Sequence, residues 1–208
     1  MHKKFIAAIA GIPAVLALAG TATAQGATNS AGSTVVTFAT LKPVVGNHVK
    51  GSGWASVKLQ GDTATVTVSV DGLIRAPHAM HIHFKGEGEC PQASDLTKHD
   101  GHLAMSTTNG LDDYGQIGTS LTTSGDTSPA SALALARFPH VGTFQYIRVI
   151  QLTDAVAAAV RNNNAVVVVH GIDYNHNGKY DYVLGVSDLT PTLPMEATSP
   201  ALCGPLTR

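Results

Sequence analysis

Strand-like alternation of apolar and polar residues begins at about residue 34. "STVVTFATLKP" (33–43) is the first such run. "GSGWASVKLQGDTATVTVSVDGL" (51–73) repeats the pattern on both sides of "QGD", so "WASVKL" and "TATVTVSV" read as the arms of a hairpin. "HAMHIHF" (78–84) is a third short run. From Gly86 to about Ser128 the alternation gives way to long connections rich in Gly, Ser and Thr, interrupted by "IGTSLTT" (117–123). "GTFQYIRVIQL" (142–152) is another strand. "TDAVAAAVRNNN" (153–164) changes character: Asp154 follows a Thr153 cap, the body is alanine-rich and asparagines stop it, which predicts a short helix. "AVVVVHG" (165–171) does not alternate, the mark of a strand buried on both faces. "YDYVLGV" (180–186) reads as a last strand or edge segment. Short strands with one brief helix predict a mainly β chain, an antiparallel sandwich or barrel.

The amino-terminal residues follow another rule. "MHKK" is cationic, "FIAAIAGIPAVLALAG" is a short apolar run, and "TATA" offers small residues in the A-x-A arrangement. This is the pattern of a secretory signal over residues 1–24, cut after Ala24. Residues 25–33 read as a flexible leader, and 34–208 as one domain. No cysteine near the cut offers a lipid anchor, and no other stretch is long and apolar enough to span a membrane. The expected location is secreted, periplasmic or in the cell envelope. In such an oxidising place the two cysteines, Cys90 and Cys203, most simply form one disulfide. It would close a loop of roughly 110 residues.

Composition narrows the chemistry. Of 208 residues only 13% are charged, the net charge is −1, and there is no basic footprint for nucleic acid. Histidine is the over-used ionisable residue, with ten copies. His81 and His83 are two apart on an expected strand, so both point to one face, roughly 6.6 Å apart along the chain. Two imidazoles at that spacing can converge on one ion. Met80, Ile82 and Phe84 would face the core. His78 falls on the Met80 side and reads as a hydrogen-bonded structural residue. His170, closing "AVVVVHG", is a third ligand candidate, and His102 or His99 in "KHDGHLAMS" a fourth. An all-imidazole site suits copper, zinc or iron. His2, His48 and His140 read as surface or satisfied core residues.

These motifs together resemble the copper/zinc superoxide dismutase family. Gly72-Leu73, then "HAMHIH", then "FKGEGEC" resemble its Gly-Leu turn, its H-G-F-H-V-H strand and its disulfide loop. "VVVVH" resembles its late V-V-V-H strand, and "ALCG" its second cysteine. The resemblance implies a Greek-key β-barrel, superoxide as substrate, and copper bound by His81, His83 and His170. The family's bridging histidine lies in G-G-H-F, and "DGHLA" places His102 there, with His99 as the fallback. Two departures stand out. Gln116 stands where the family's zinc aspartate would be, and Asp113-Tyr114 where a histidine would be, so the family's zinc site is not expected. Pro200 occupies the place of the arginine that guides superoxide, and Arg161 and Arg208 lie elsewhere. Loss of that cation implies slower turnover, or copper held without turnover.

The chain also resembles secreted chordin-type (CHRD) domains, which share "HAMHIH", and "DAVAAAV" before the late strand fits them better. That resemblance implies a metal-free structural module. Neither family accounts for "GTSLTTSGDTSPASALALARFP" (118–139). After His170, "DYNHNGKYD" puts Asp173, Asn175 and Asn177 at alternate positions, then Gly178 and Asp181, like the first half of a calcium loop. Leu184 stands where an EF-hand needs a bidentate Glu, which leaves a partial calcium loop or an Asx/Gly turn. No G-x-S-x-G and no phosphate-binding Gly loop is present.

Overall fold

The structure, a computed structural model, describes residues 33–208. The expected signal at 1–24, and the leader up to residue 32, lie outside the described residues. The described chain is mainly β, with ten strands. They are β1 (Val35–Pro43), β2 (Ser52–Gln60), β3 (Thr63–Asp71), β4 (Met80–Phe84), β5 (Thr97–His99), β6 (His102–Ala104), β7 (Gln116–Ser120), β8 (Phe144–Gln151), β9 (Ala165–His170) and β10 (Pro200–Pro205). Eight form one strongly curled antiparallel sheet in the order β7-β4-β9-β10-β1-β2-β3-β8. β5 and β6 form a separate small hairpin. Helices are few: α1 (Leu111–Tyr114), α2 (Asp154–Arg161) and α3 (Met195–Thr198).

The alternation in the sequence becomes the two faces of the sheet. In β2 and β3 the residues Ala55, Val57, Leu59, Ala64, Val66 and Val68 point into the curl and are buried. The pairing Val57↔Val66 fixes their register through the two-residue turn at Gly61-Asp62. Helix α2 starts where expected, with the Thr153 hydroxyl accepting the Val156 amide at 3.3 Å. It sets Val156, Ala157 and Val160 against the core.

β9 is buried along its whole length, because it is central in the sheet and covered on both sides. Val167 and Val169 belong to the inner core. Val166 and Val168 face outward into a second cluster with Met105, Tyr114 and Cys203. Each fully buried valine contributes roughly 1.5 to 3 kcal/mol. The disulfide Cys90–Cys203 is formed, across a sequence separation of 113, and joins the loop after β4 to β10.

Two expectations are corrected. "YDYVLGV" (180–186) is not a strand: the chain bends and turns over residues 182–184, and within it only Val186 makes an isolated bridge, to Pro194. The strand that completes the sheet here is β10, whose prolines at both ends mask it in the sequence. Beside the one expected helix, α1 and α3 add single turns. No helix among the described residues is long and apolar enough to cross a membrane.

Candidate metal centre

β4 and β9 are neighbours, paired His81↔Val168 and His83↔Val166. His81, His83, Val166, Val168 and His170 therefore share the outward face of the sheet. Met80, Ile82 and Phe84 fill the inner core, as the alternation requires. On that outer face one ligand-capable nitrogen from each of His81, His83 and His170 lies within 4.8 Å of the other two. All three residues are at most 2% exposed. The ring centroids are 5.6 Å (His81–His83), 5.0 Å (His81–His170) and 5.9 Å (His83–His170) apart.

Each ring spends its other nitrogen on a backbone carbonyl. His81 Nε2 donates to Ala132 O at 3.2 Å, His83 Nδ1 to Gly115 O at 2.8 Å, and His170 Nδ1 to Thr198 O at 2.7 Å. A carbonyl can only accept, so the ring proton sits on those nitrogens. The remaining atoms, His81 Nδ1, His83 Nε2 and His170 Nε2, are buried lone pairs with no hydrogen-bond partner among the described residues. A carbonyl behind each imidazole is the outer-shell arrangement that orients a metal-binding histidine.

Burial keeps the cluster neutral. It lowers His81 well below the usual imidazole value, and the neighbouring His170 and His83 lower it further. Burial, then the His170 charge, brings His83 to about 3; burial brings His170 to about 4. The carboxylate whose field reaches His170 is that of exposed Asp188, which accepts the Thr108 amide at 2.7 Å.

The carbonyls come from constrained backbone. Gly115 has φ 82° and ψ −169°, a conformation essentially confined to glycine. A Cβ there would also run into the Phe84 carbonyl and the Gly86 amide. Tyr114, fully buried, sets its ring edge-on at 4.6 Å from His83 and donates its hydroxyl to Thr107 O at 2.5 Å.

The segment that neither resemblance explained lies over the centre. Asp126 accepts the hydroxyls of Ser128 (2.7 Å) and Ser131 (2.5 Å), and Arg137 donates to Ser131 Oγ at 2.6 Å. Arg148 of β8 ties Thr122 to the sheet at 2.8 Å. The stapled loop delivers the Ala132 carbonyl to His81 and lays buried Phe138 edge-on against that ring, 5.8 Å between centroids. Leu133 and Leu135, with Leu189, Ile117, Ala79 and Ala197, close a chamber of about 10 Å³ over His81 and His170.

His78 is buried outside the cluster, its ring nitrogens 2.9 Å from the carbonyls of His170 and Ile74. The expected fourth ligand does not join the three. His102 and His99 face each other at the turn of the β5–β6 hairpin. His102 is exposed, its ring edge-on to Tyr174, and His99 bonds Thr97 and Asn109. Of the two readings left open for His48 and His140, the exposed one holds.

In the loop after β9 the Asn175 and Asn177 side chains bond the Asp181 carboxylate, while the Asp173 carboxylate caps backbone amides. Asp173 accepts the amides of Asn177 and Gly178, each at 2.9 Å, and Asn175 donates to Asp181 at 3.1 Å. Buried Glu196 pins both ends by accepting the amides of Tyr174 and Asp181. Glu196 and the carbonyl acceptors Ala132, Gly115 and Thr198 were not legible in the sequence; only the Gly115 conformation left a trace, as a glycine.

No family model and no curated protein matches this chain.

Proposed function

We propose that the chain is an exported copper-binding protein with a Greek-key barrel of the copper/zinc superoxide dismutase type. Copper would be held by His81 Nδ1, His83 Nε2 and His170 Nε2. The observation that carries this reading is the convergence of three buried, unpartnered lone pairs whose rings are locked from behind. Each unpaired buried acceptor costs roughly 1–3 kcal/mol, and a shared ion satisfies all three at once. A metal-free CHRD-type module leaves that cost uncompensated. An all-imidazole set fits copper, and the order of motifs favours it over zinc or iron. The disulfide supports export.

Bound copper would supply one-electron exchange, converting two superoxide ions and two protons to dioxygen and hydrogen peroxide. The chain's own contribution is to hold three neutral imidazoles in fixed orientation, to keep their ring protons on the outer nitrogens, and to limit water over the site. A second reading, copper held without turnover, is favoured by one observation: among the described residues, no Lys or Arg lines the chamber. An anion entering it would be desolvated with no cation to receive it.

The test is to load the purified chain with copper, remove the excess, and measure copper content and superoxide dismutation beside His81→Ala and His170→Ala. One copper per chain with activity above that of free copper, both lost in the variants, supports dismutation. One copper without activity leaves the second reading. A chain that retains no copper refutes both.

A further inference from the structure

The cluster, its surroundings and its cover together define the charge of the ion it can accept. The three donors are neutral, and no Asp, Glu or Cys joins them among the described residues. The cover is made of Leu133, Leu135, Leu189, Ile117 and alanines, with Thr198 the one polar residue besides the histidines. Asp188, beside Leu189, is the carboxylate whose field reaches His170, but it is exposed, so solvent screens its charge from the centre. A bound ion therefore keeps its full charge in an apolar surrounding.

We propose that the centre is selective for univalent copper, Cu⁺, over divalent Cu²⁺ and Zn²⁺; this rests on the copper-binding reading above. The cost of burying an ion grows with the square of its charge, so a divalent ion is penalised about four times as heavily as a univalent one. Coordination number points the same way. Divalent copper favours square-planar or tetragonal surroundings and zinc four ligands, whereas this site offers three nitrogens. A chamber of about 10 Å³ is at the lower limit of the space a single water needs, so there is little room for a further ligand to complete either set. Univalent copper, with a closed d shell, is satisfied by three donors. The Ala132 carbonyl makes the cover part of the centre, because it fixes which nitrogen His81 can offer.

The experiment uses the purified chain without metal and three competitions: Cu⁺ against a Cu⁺-specific chromophoric chelator under argon, and Cu²⁺ and Zn²⁺ each against a matched chelator in air. His170→Ala is the reference for binding elsewhere on the surface. The expected result is one Cu⁺ per chain, bound at least about a thousandfold more tightly than Cu²⁺ or Zn²⁺. Divalent ions bound within tenfold of Cu⁺ overturn the selectivity and leave the copper-binding reading intact. No ion bound beyond the His170→Ala level overturns both. Leu133 is 38% exposed, so Leu133→Asp can place a carboxylate at the rim without emptying the core. It is expected to raise Zn²⁺ and Cu²⁺ affinity at least tenfold while far-ultraviolet circular dichroism stays unchanged. A folded Leu133→Asp chain with unaltered divalent affinity overturns the charge argument.

Discussion

His81 and His83 stand two residues apart on one strand, yet they carry their ring protons on opposite nitrogens. His81 gives Nε2–H to Ala132, and His83 gives Nδ1–H to Gly115. The lone pairs left over, Nδ1 on one ring and Nε2 on the other, are those that meet His170 Nε2. Spacing alone puts two imidazoles on one face; the carbonyls behind them decide which atoms converge.

Acid should destabilise the metal-free chain. The folded chain holds His83 at about 3 and His170 at about 4, against an ordinary 6.5. Between pH 6.5 and about 4 the unfolded chain binds protons that the fold refuses, so stability is full above that window and falls as pH falls through it. At pH 5 the loss is about 2 kcal/mol for each of these two histidines. Urea denaturation at pH 8 and pH 5 measures it, and a flat profile would contradict a buried neutral cluster.

Gly115→Ala should harm both fold and centre. Its φ, ψ pair costs a non-glycine residue about 1–3 kcal/mol, and the new methyl displaces the carbonyl that holds His83. A lowered melting temperature together with copper affinity reduced at least about tenfold is expected. Thermal denaturation and chelator competition read the two effects separately.

Asp126→Ala should loosen the cover without unfolding the sheet. It removes the acceptor of Ser128 and Ser131, one residue before the carbonyl on His81. Stopped-flow transfer of bound copper to a chelator is expected to run roughly tenfold faster, with little change in melting temperature. Unchanged transfer would mean that the loop does not govern access.

Reducing the disulfide, or replacing both cysteines by serine, should cost about 4–5 kcal/mol, because the 113-residue separation closes a long loop. Denaturation with and without reductant gives the difference. Copper should be lost as well, since Cys203 packs with Met105 and Tyr114 in the wall behind His83.

Much of this arrangement was legible from periodicity. Alternation located β1 to β4 and β8, and the unbroken valines identified β9, because those patterns report which faces are buried. It also separated His81 and His83 from His78. β10 escaped because its prolines and Gly204 disguise a strand that pairs on both sides. The false strand at 180–186 arose from aromatic and branched residues that pack from a turn. His102 was drawn in by a local motif, whereas the β5–β6 hairpin decides where it goes. The Ala132, Gly115 and Thr198 carbonyls carry no side-chain signature, so only the folded backbone reveals them.

The Cys90–Cys203 bridge also bears on when the centre comes into being. The β1–β2–β3 hairpins can form while the rest of the chain is still being made, but β4, which carries His81 and His83, has to wait for β7 and β9 to pair with it. Thr198, which holds His170, directly precedes Ser199 and β10, and Cys203 lies within that strand. The nascent protein thus owns most of its ligands long before it owns a grip. Closure of the three-histidine site would thus be deferred until synthesis has passed residue 203 and the thiols have met an oxidant, so that any ion it takes would meet a finished chain.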